Sequence, residues 1–543
     1  MPMSTDAQPG GEARAEPAAV AGYLALVLHA HLPFVRHPEH ERFLEESWLF
    51  EAITETYSPL LALLEEWERD RLPVSLTIGL SPTLCAMLQD PLLRERYERR
   101  LARLIELAEK EAFRTHWDGA LRPLAELYHR RFLLVRETWH ACERDLVGAF
   151  RRLQDRGRIE IITCAATHGL LPLLAARPGS LRGQILTARD HYRACFGRDP
   201  RGIWLPECAY TPEIEPVLQA ANLRWFVTDT HGLLWADPAP RYGVYAPVYT
   251  PHGLAAFGRD LDSAKQVWSR EAGYPGDPRY RDFYRDIGFD LDFEYVGPCL
   301  PSPDHRGFTG IKYHRITGRD GAKAVYDREA ALSVAGEHAR HFLAARQGQM
   351  HGVRGPMDRP PVIVAPYDAE LFGHWWYEGP EFLDALFRRA ASDPRGLSLI
   401  TPTEYLRRHP TSQAARPCPS SWGQAGYWRV WLNEKNEWIM PHLLVAGERM
   451  SELARRFAGA DGLAGRALRQ AGRELLLAQA SDWPFILETG ACPEYARERV
   501  TGHLRQFGGL YEQLVAGRVD PAGLARLEQQ NNLFPQLETS YWA

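Results

Sequence analysis

The stretch "VIVAPYDAELFGHWWYEG", residues 362–379, begins as a buried strand and changes character within a few residues. Val362, Ile363 and Val364 form a short apolar run, followed by Tyr367, Asp368, Glu370, His374, Trp375, Trp376 and Glu378. A parallel strand covered on both faces reads as an unbroken apolar run. In a parallel β/α barrel the chemistry gathers at the carboxyl ends of such strands. The stretch fits both descriptions.

Four further segments follow the same plan. "YLALVLHAHLPF" (23–34) carries His29 and His31, and "RIEIITCAATHGLLPLL" (158–174) carries His168. "RGIWLPECAY" (201–210) delivers Glu207, and "LRWFVTDTHGLLW" (223–235) delivers Asp229 and His231. Helical stretches separate them, near 48–69, 139–156, 181–195 and 326–346. This alternation predicts an α/β fold, a β/α barrel whose strand ends share one kind of chemistry.

The barrel region runs over 22–420, with an arginine-rich helical insertion at about 86–136 whose charges form a solvated face. "RHPTSQAARPCPS" (408–420) has the composition of a linker. Residues 421–543 read as a mostly helical C-terminal domain, with helices near 441–458, 463–480 and 494–515. Residues 1–21 read as a disordered tail without the basic start and apolar core of a signal peptide.

Composition narrows the function. A hydrophobic content of 45%, a charged content of 24% and a net charge of −5 are those of an ordinary globular protein. They give no reason to expect nucleic acid or membrane as a partner. The eight cysteines show no CxxC pair, which points to reduced thiols and a cytoplasmic setting. The 16 Trp, 22 Tyr and 21 Phe suit either heavy core packing or flat faces for sugar rings.

Read singly, Glu207 and Asp368 each fit a capping carboxylate. Read as a pair on two strand ends among aromatic side chains, they fit glycoside chemistry, one as nucleophile and one as acid then base. A rival reading takes His29, His31, His168, His231 and a late-strand Asp as a zinc constellation of the amidohydrolase type. That pattern usually includes a lysine on a middle strand, and only Lys110, Lys265, Lys312, Lys323 and Lys435 are present. Trp268, Trp422 and Trp431 lie in glycine- and polar-rich sequence, where a stacking role competes with core packing. For Asp482 in "ASDWPF" (480–485) a helix cap is the plain reading.

"HAHLPF", "THGLLPLL", "WLPECAY" and "APYDAELFGHWWYEG", in that order, resemble the signature regions of glycoside hydrolase family 57. "QVWS", "GYPGDP", "VWLNEK" and "ASDWPF" bring the resemblance nearest to the 1,4-α-glucan branching enzymes of that family. The resemblance implies a retaining enzyme on an incomplete (β/α)7 barrel, a C-terminal domain that helps build the glucan cleft, and no metal or other cofactor. It implies amylose or glycogen as donor and acceptor, and a monomer or small homo-oligomer. By the same resemblance Glu207 is the nucleophile and Asp368 the acid/base, while His29, His31 and His168 contact sugar. Arg259, Trp268, Gly276, Trp422, Trp431 and Asp482 match glucan-binding positions. By that resemblance "APRYGVY" (239–245) puts Tyr242 where these branching enzymes carry a tyrosine on a mobile loop over the active site, which would shield it from water. Phe34 stands where a tyrosine is expected, and Cys164-Ala165 where Ser-Asn is usual. An α-amylase or 4-α-glucanotransferase of the same family is the nearest alternative.

Overall fold

The computed structural model describes residues 20–269, 273–317, 323–393 and 396–543. The expected N-terminal tail lies almost wholly outside them.

The barrel wall is built from β1 (Gly22–Ala30), β2 (Leu76–Leu80), β3 (Ile159–Cys164), β4 (Gly202–Trp204) and β5 (Trp225–Thr228). β6 (Val248–Tyr249), β7 (Ala255–Gly258), β8 (Val362–Asp368) and β9 (Leu397–Leu399) follow. Seven strands pair in parallel in the order β7-β5-β4-β3-β2-β1-β8. β6 adds an antiparallel edge to β7, and β9 runs beside the start of β1. All nine residues of β1 are buried, as an apolar run covered on both faces requires.

Among the described residues the curled sheet closes through a short contact. Arg259 bridges Val364, and the Asp260 N–H donates to the Val364 carbonyl at 2.9 Å. The β1–β8 register sets His29 opposite Asp368, and the β3–β4 register sets Cys164 opposite Trp204. Those registers bring the reactive strand ends to one rim. The arrangement is the incomplete (β/α)7 barrel anticipated from the sequence.

Helices cover the wall. Between β2 and β3 the chain makes an antiparallel pair, Pro91–Arg114 and Arg122–Ala141, in the expected insertion. Asp90 caps the first of these by accepting from the Leu93 N–H, with Pro91 at the first helical position. The stretch expected to be one helix at 139–156 is broken. Glu143 and Arg144 adopt positive φ, and Asp145 caps a new helix, Leu146–Asp155. The C-terminal region contains Ile439–Arg456, Gly462–Ala478 and Pro493–Val515, plus the shorter Asp482–Thr489 and Pro521–Gln530. Fully buried Trp542 anchors its end on the barrel, because a Cβ at Gly183 of the helix Pro178–Phe196 would sit 2.2 Å from the indole. A single hydrophobic cluster runs from barrel strands into these C-terminal helices.

Candidate active site

Glu207 stands just past the end of β4, in a helical turn Pro206–Cys208 that the chain enters with φ of +63° at Glu207 and +49° at Cys208. Left-handed backbone at non-glycine residues costs on the order of 1–3 kcal/mol each and persists where the surroundings enforce it. The enforcement is visible. The Trp422 indole N–H donates to Glu207 Oε2 at 2.8 Å, and the Trp422 backbone N–H donates to the Glu207 carbonyl at 3.1 Å. The Ser481 hydroxyl donates to Oε1 at 3.1 Å. Burial pushes the Glu207 carboxyl up to about 7. The Trp422 hydrogen bond pulls against that rise, the Asp482 charge adds to it, and the Ser481 bond again opposes it.

Asp368 ends β8. Burial holds its carboxyl well above the usual carboxylate range, the charges of Glu370 and Glu207 raise it further, and Arg259 opposes them. Among the described residues no hydrogen bond steadies its ionised form. Two donors on Glu207 and none on Asp368 split the pair. Glu207 ionises first while Asp368 keeps its proton, the division of labour that two-carboxylate chemistry needs.

The histidines form a stacked wall. His29 lies on Trp204 at 4.4 Å and 5°, and His31 lies on His168 at 4.0 Å and 10°. Burial, then the neighbouring histidines, hold His29 and His168 well below the ordinary imidazole value, so both are neutral near pH 7. One proton assignment satisfies every contact. His29 Nε2–H donates to His168 Nε2 at 3.1 Å, His168 Nδ1–H donates to Ser481 Oγ at 2.9 Å, and Ser481 donates to Glu207. His31 donates from Nε2 to Asp482 at 3.2 Å and accepts at Nδ1 from Ser81 at 2.9 Å. The ligand atoms of His31, His168 and Asp482 lie within 4.8 Å of one another, as do those of His29, Cys164 and His168. Parallel stacked rings, however, do not converge their lone pairs on one tetrahedral centre, and both nitrogens of His31 and of His168 are engaged in this network. The zinc reading therefore fits the wall poorly.

Arg259 and Asp229 also reach the site. The Arg259 guanidinium donates to Asp229 at 3.4 Å and lies 5.2 Å over the Trp422 ring. Trp268 meets Trp422 edge-on at 6.4 Å, which makes an aromatic flank with Trp204. Asp482 opens the helix Asp482–Thr489, so its place in the first turn and its bond to His31 coexist.

Three of the expected residues stand apart from the carboxyl pair. Trp431 is 3% exposed, packed in a cluster with Leu170 and Ala209, so it has no free face for stacking. Gly276 sits in an exposed turn, Tyr274–Gly276, with no contact among the described residues that ties it to the carboxyls. Tyr242 is the largest departure. Its hydroxyl accepts from the Asp358 N–H at 3.4 Å, and nearby the Tyr245 carbonyl accepts from the N–H of Val362, the first residue of β8. A strand of seven residues spans roughly 20 Å, so this loop packs beside the start of β8, far from Asp368 at its end.

The sequence reading passed over Ser481, although it precedes Asp482 in "ASDWPF". Glu370 accepts from the His31 N–H at 3.1 Å and from the Tyr57 hydroxyl, so it holds the first strand end. Removing the Ser481 donor makes Glu207 harder to ionise. Ser481→Ala is therefore expected to move the acidic limb of the kcat/KM profile up by about one pH unit, with recovery in Ser481→Thr.

The family model described as glycosyl hydrolase family 57 matches residues 25–416. The chain belongs to glycosyl hydrolase family 57. A second model, 1,4-alpha-glucan branching enzyme, C-terminal, matches residues 442–542. Among family relatives, a 1,4-alpha-glucan branching enzyme of Thermococcus kodakarensis is 35% identical over 94% of this chain and 77% of its own. The solved structure of that family member superposes with a TM-score of 0.86 over 96% of this chain and 97% of the other, at 33% identity. The solved structure of a novel alpha-amylase from Thermotoga maritima has a TM-score of 0.90 and 42% identity, over 96% and 99% of the two chains. A GH57-type branching enzyme of Pyrococcus horikoshii has a TM-score of 0.86 and 32% identity, over 96% and 97%.

Proposed function

We propose that the chain is a retaining 1,4-α-glucan branching enzyme. The observation that carries the reading is where the nucleophile's partners come from. The region matching the branching-enzyme C-terminal model supplies Ser481 to Glu207 and Asp482 to His31, so it takes part in the site itself. Asp368 gives its proton to the oxygen of an α-1,4 link as a Glu207 oxygen bonds to the anomeric carbon, and a covalent glycosyl-enzyme forms. The 6-hydroxyl of a second glucan then loses its proton to Asp368 and attacks that carbon. Glu207 leaves and an α-1,6 branch remains. His29, His31 and His168 line the sugar, and Trp204, Trp422 and Trp268 exclude water from the intermediate. A glycogen-type acceptor and a cytoplasmic setting complete the reading. No helix among the described residues is long and apolar enough to cross a membrane.

The likeness to the Thermotoga alpha-amylase favours a second reading, in which water takes the intermediate. Proton NMR of amylose treated with the enzyme decides between them. New α-1,6 anomeric signal is expected; reducing ends without it would make the enzyme a hydrolase. The position of Tyr242 beside Asp358 adds an expectation of its own. Tyr242→Ala should leave the ratio of branching to hydrolysis unchanged, as read from the same spectra.

A further inference from the structure

Two aromatic rings stand exposed on the β5 side of the rim and have no part in the chemistry above. Trp235 is 66% exposed and Tyr427 is 42% exposed. The ring of His231 lies between them, 5.5 Å from Trp235 and 5.9 Å from Tyr427, edge-on to both. His231 Nε2–H donates to the Gly426 carbonyl at 3.0 Å, and Nδ1 meets Asp229 at 3.0 Å. Ala425 and Gly426 both adopt positive φ, and a Cβ on Gly426 would lie 2.8 Å from the His231 ring. The loop that presents Tyr427 is thus held in a strained shape against His231, and the strain is maintained by that contact.

This rim is continuous with the catalytic centre. From His231 the contacts run through Asp229 and Arg259 to Trp422, whose indole holds Glu207. Paired aromatic faces left in water beside a cleft mark a binding surface, and the flat C–H faces of pyranose rings suit them. Two other indoles are comparably exposed: Trp375, at 61%, stacks on Phe283 beside His374, and Trp117, at 93%, sits at the turn of the helical insertion and makes no such chain of contacts among the described residues.

We propose that Trp235 and Tyr427 form a subsite that grips an α-glucan chain several glucose units from the bond that reacts. This rests on the reading of the protein as an α-glucan enzyme. The subsite makes affinity depend on chain length: a short maltooligosaccharide ends within the catalytic centre, whereas a long one reaches the two rings. His231 is a positioning residue that sets their spacing.

The test compares the full-length protein with Trp235→Ala/Tyr427→Ala and, as a control, Trp117→Ala. Calorimetry with maltotriose and with amylose gives affinities that do not depend on turnover. The expected result is an amylose Kd raised about tenfold in the double variant, or ~1.4 kcal/mol, with the maltotriose Kd changed less than about twofold. Trp235→Phe/Tyr427→Phe should restore most of the loss, and Trp117→Ala should match the wild type. An unchanged amylose Kd, or an equal loss for both ligands, would overturn the subsite. A wild type that binds amylose with this length dependence but makes no α-1,6 links would overturn the branching assignment alone.

Discussion

Glu207→Gln is expected to lower turnover of amylose by about 10⁴–10⁶-fold, the scale seen when a covalent nucleophile is removed. The replacement has the same shape. Its amide oxygen can accept from Trp422 and its amide nitrogen can donate to Ser481, so the strained turn at Pro206–Cys208 stays supported. Loss of activity with retained structure follows, and circular dichroism beside a product assay checks both at once. The same variant makes a stability prediction whose sign comes from the carboxyl. Folding raises Glu207 from its ordinary 4.5 to about 7, so the folded state holds the proton more tightly than the unfolded chain. Stability of the wild type therefore falls as pH rises through that window and stays low above it. A neutral glutamine does not suffer this loss. At pH 8 the variant should be more stable by up to ~3 kcal/mol, and at pH 4 the two should nearly coincide. Substantial turnover by the folded variant would remove Glu207 from its role.

Strand ends were legible in the sequence because two-sided burial writes an apolar run and the chemistry follows it directly. "RGIWLPECAY" and "VIVAPYDAELFG" needed no tertiary information beyond that rule. What the sequence hid are contacts set by long-range packing. Ser481 meets Glu207 because the Ser481 N–H bonds the His168 carbonyl, pinning two segments far apart in the chain. Trp431 looks like a surface residue from its polar neighbours, but Leu170 and Ala209 cover it. Tyr242 follows the expected motif, yet the loop is drawn to the start of β8 by the bond from Val362 to Tyr245. The break at 142–145 is local, but Asp145 as a cap outweighs a helical pattern that runs through it. Trp235 carries no motif at all; only its exposure next to His231 gives it meaning.

Asp368→Asn separates the two chemical steps. On amylose the expected loss is about 10²–10⁴-fold, since the leaving sugar oxygen needs a proton that asparagine cannot give. With an α-maltosyl fluoride donor the first step should survive, because fluoride departs without protonation. The second step still lacks a base to take the proton of the acceptor hydroxyl, so the covalent intermediate should accumulate. Intact mass spectrometry should show one added maltosyl unit, and peptide mapping should place it on Glu207. The basic limb of the wild-type pH profile has the same origin. Burial and the charges of Glu370 and Glu207 keep Asp368 protonated well above the usual carboxylate range, and activity falls as that proton is lost. In Asp368→Asn the basic limb should disappear. Azide, which attacks without needing deprotonation, should release the intermediate as the α-azide. A β-azide, with no adduct on Glu207, would replace double displacement by a single inverting step and leave Glu207 as the base for water.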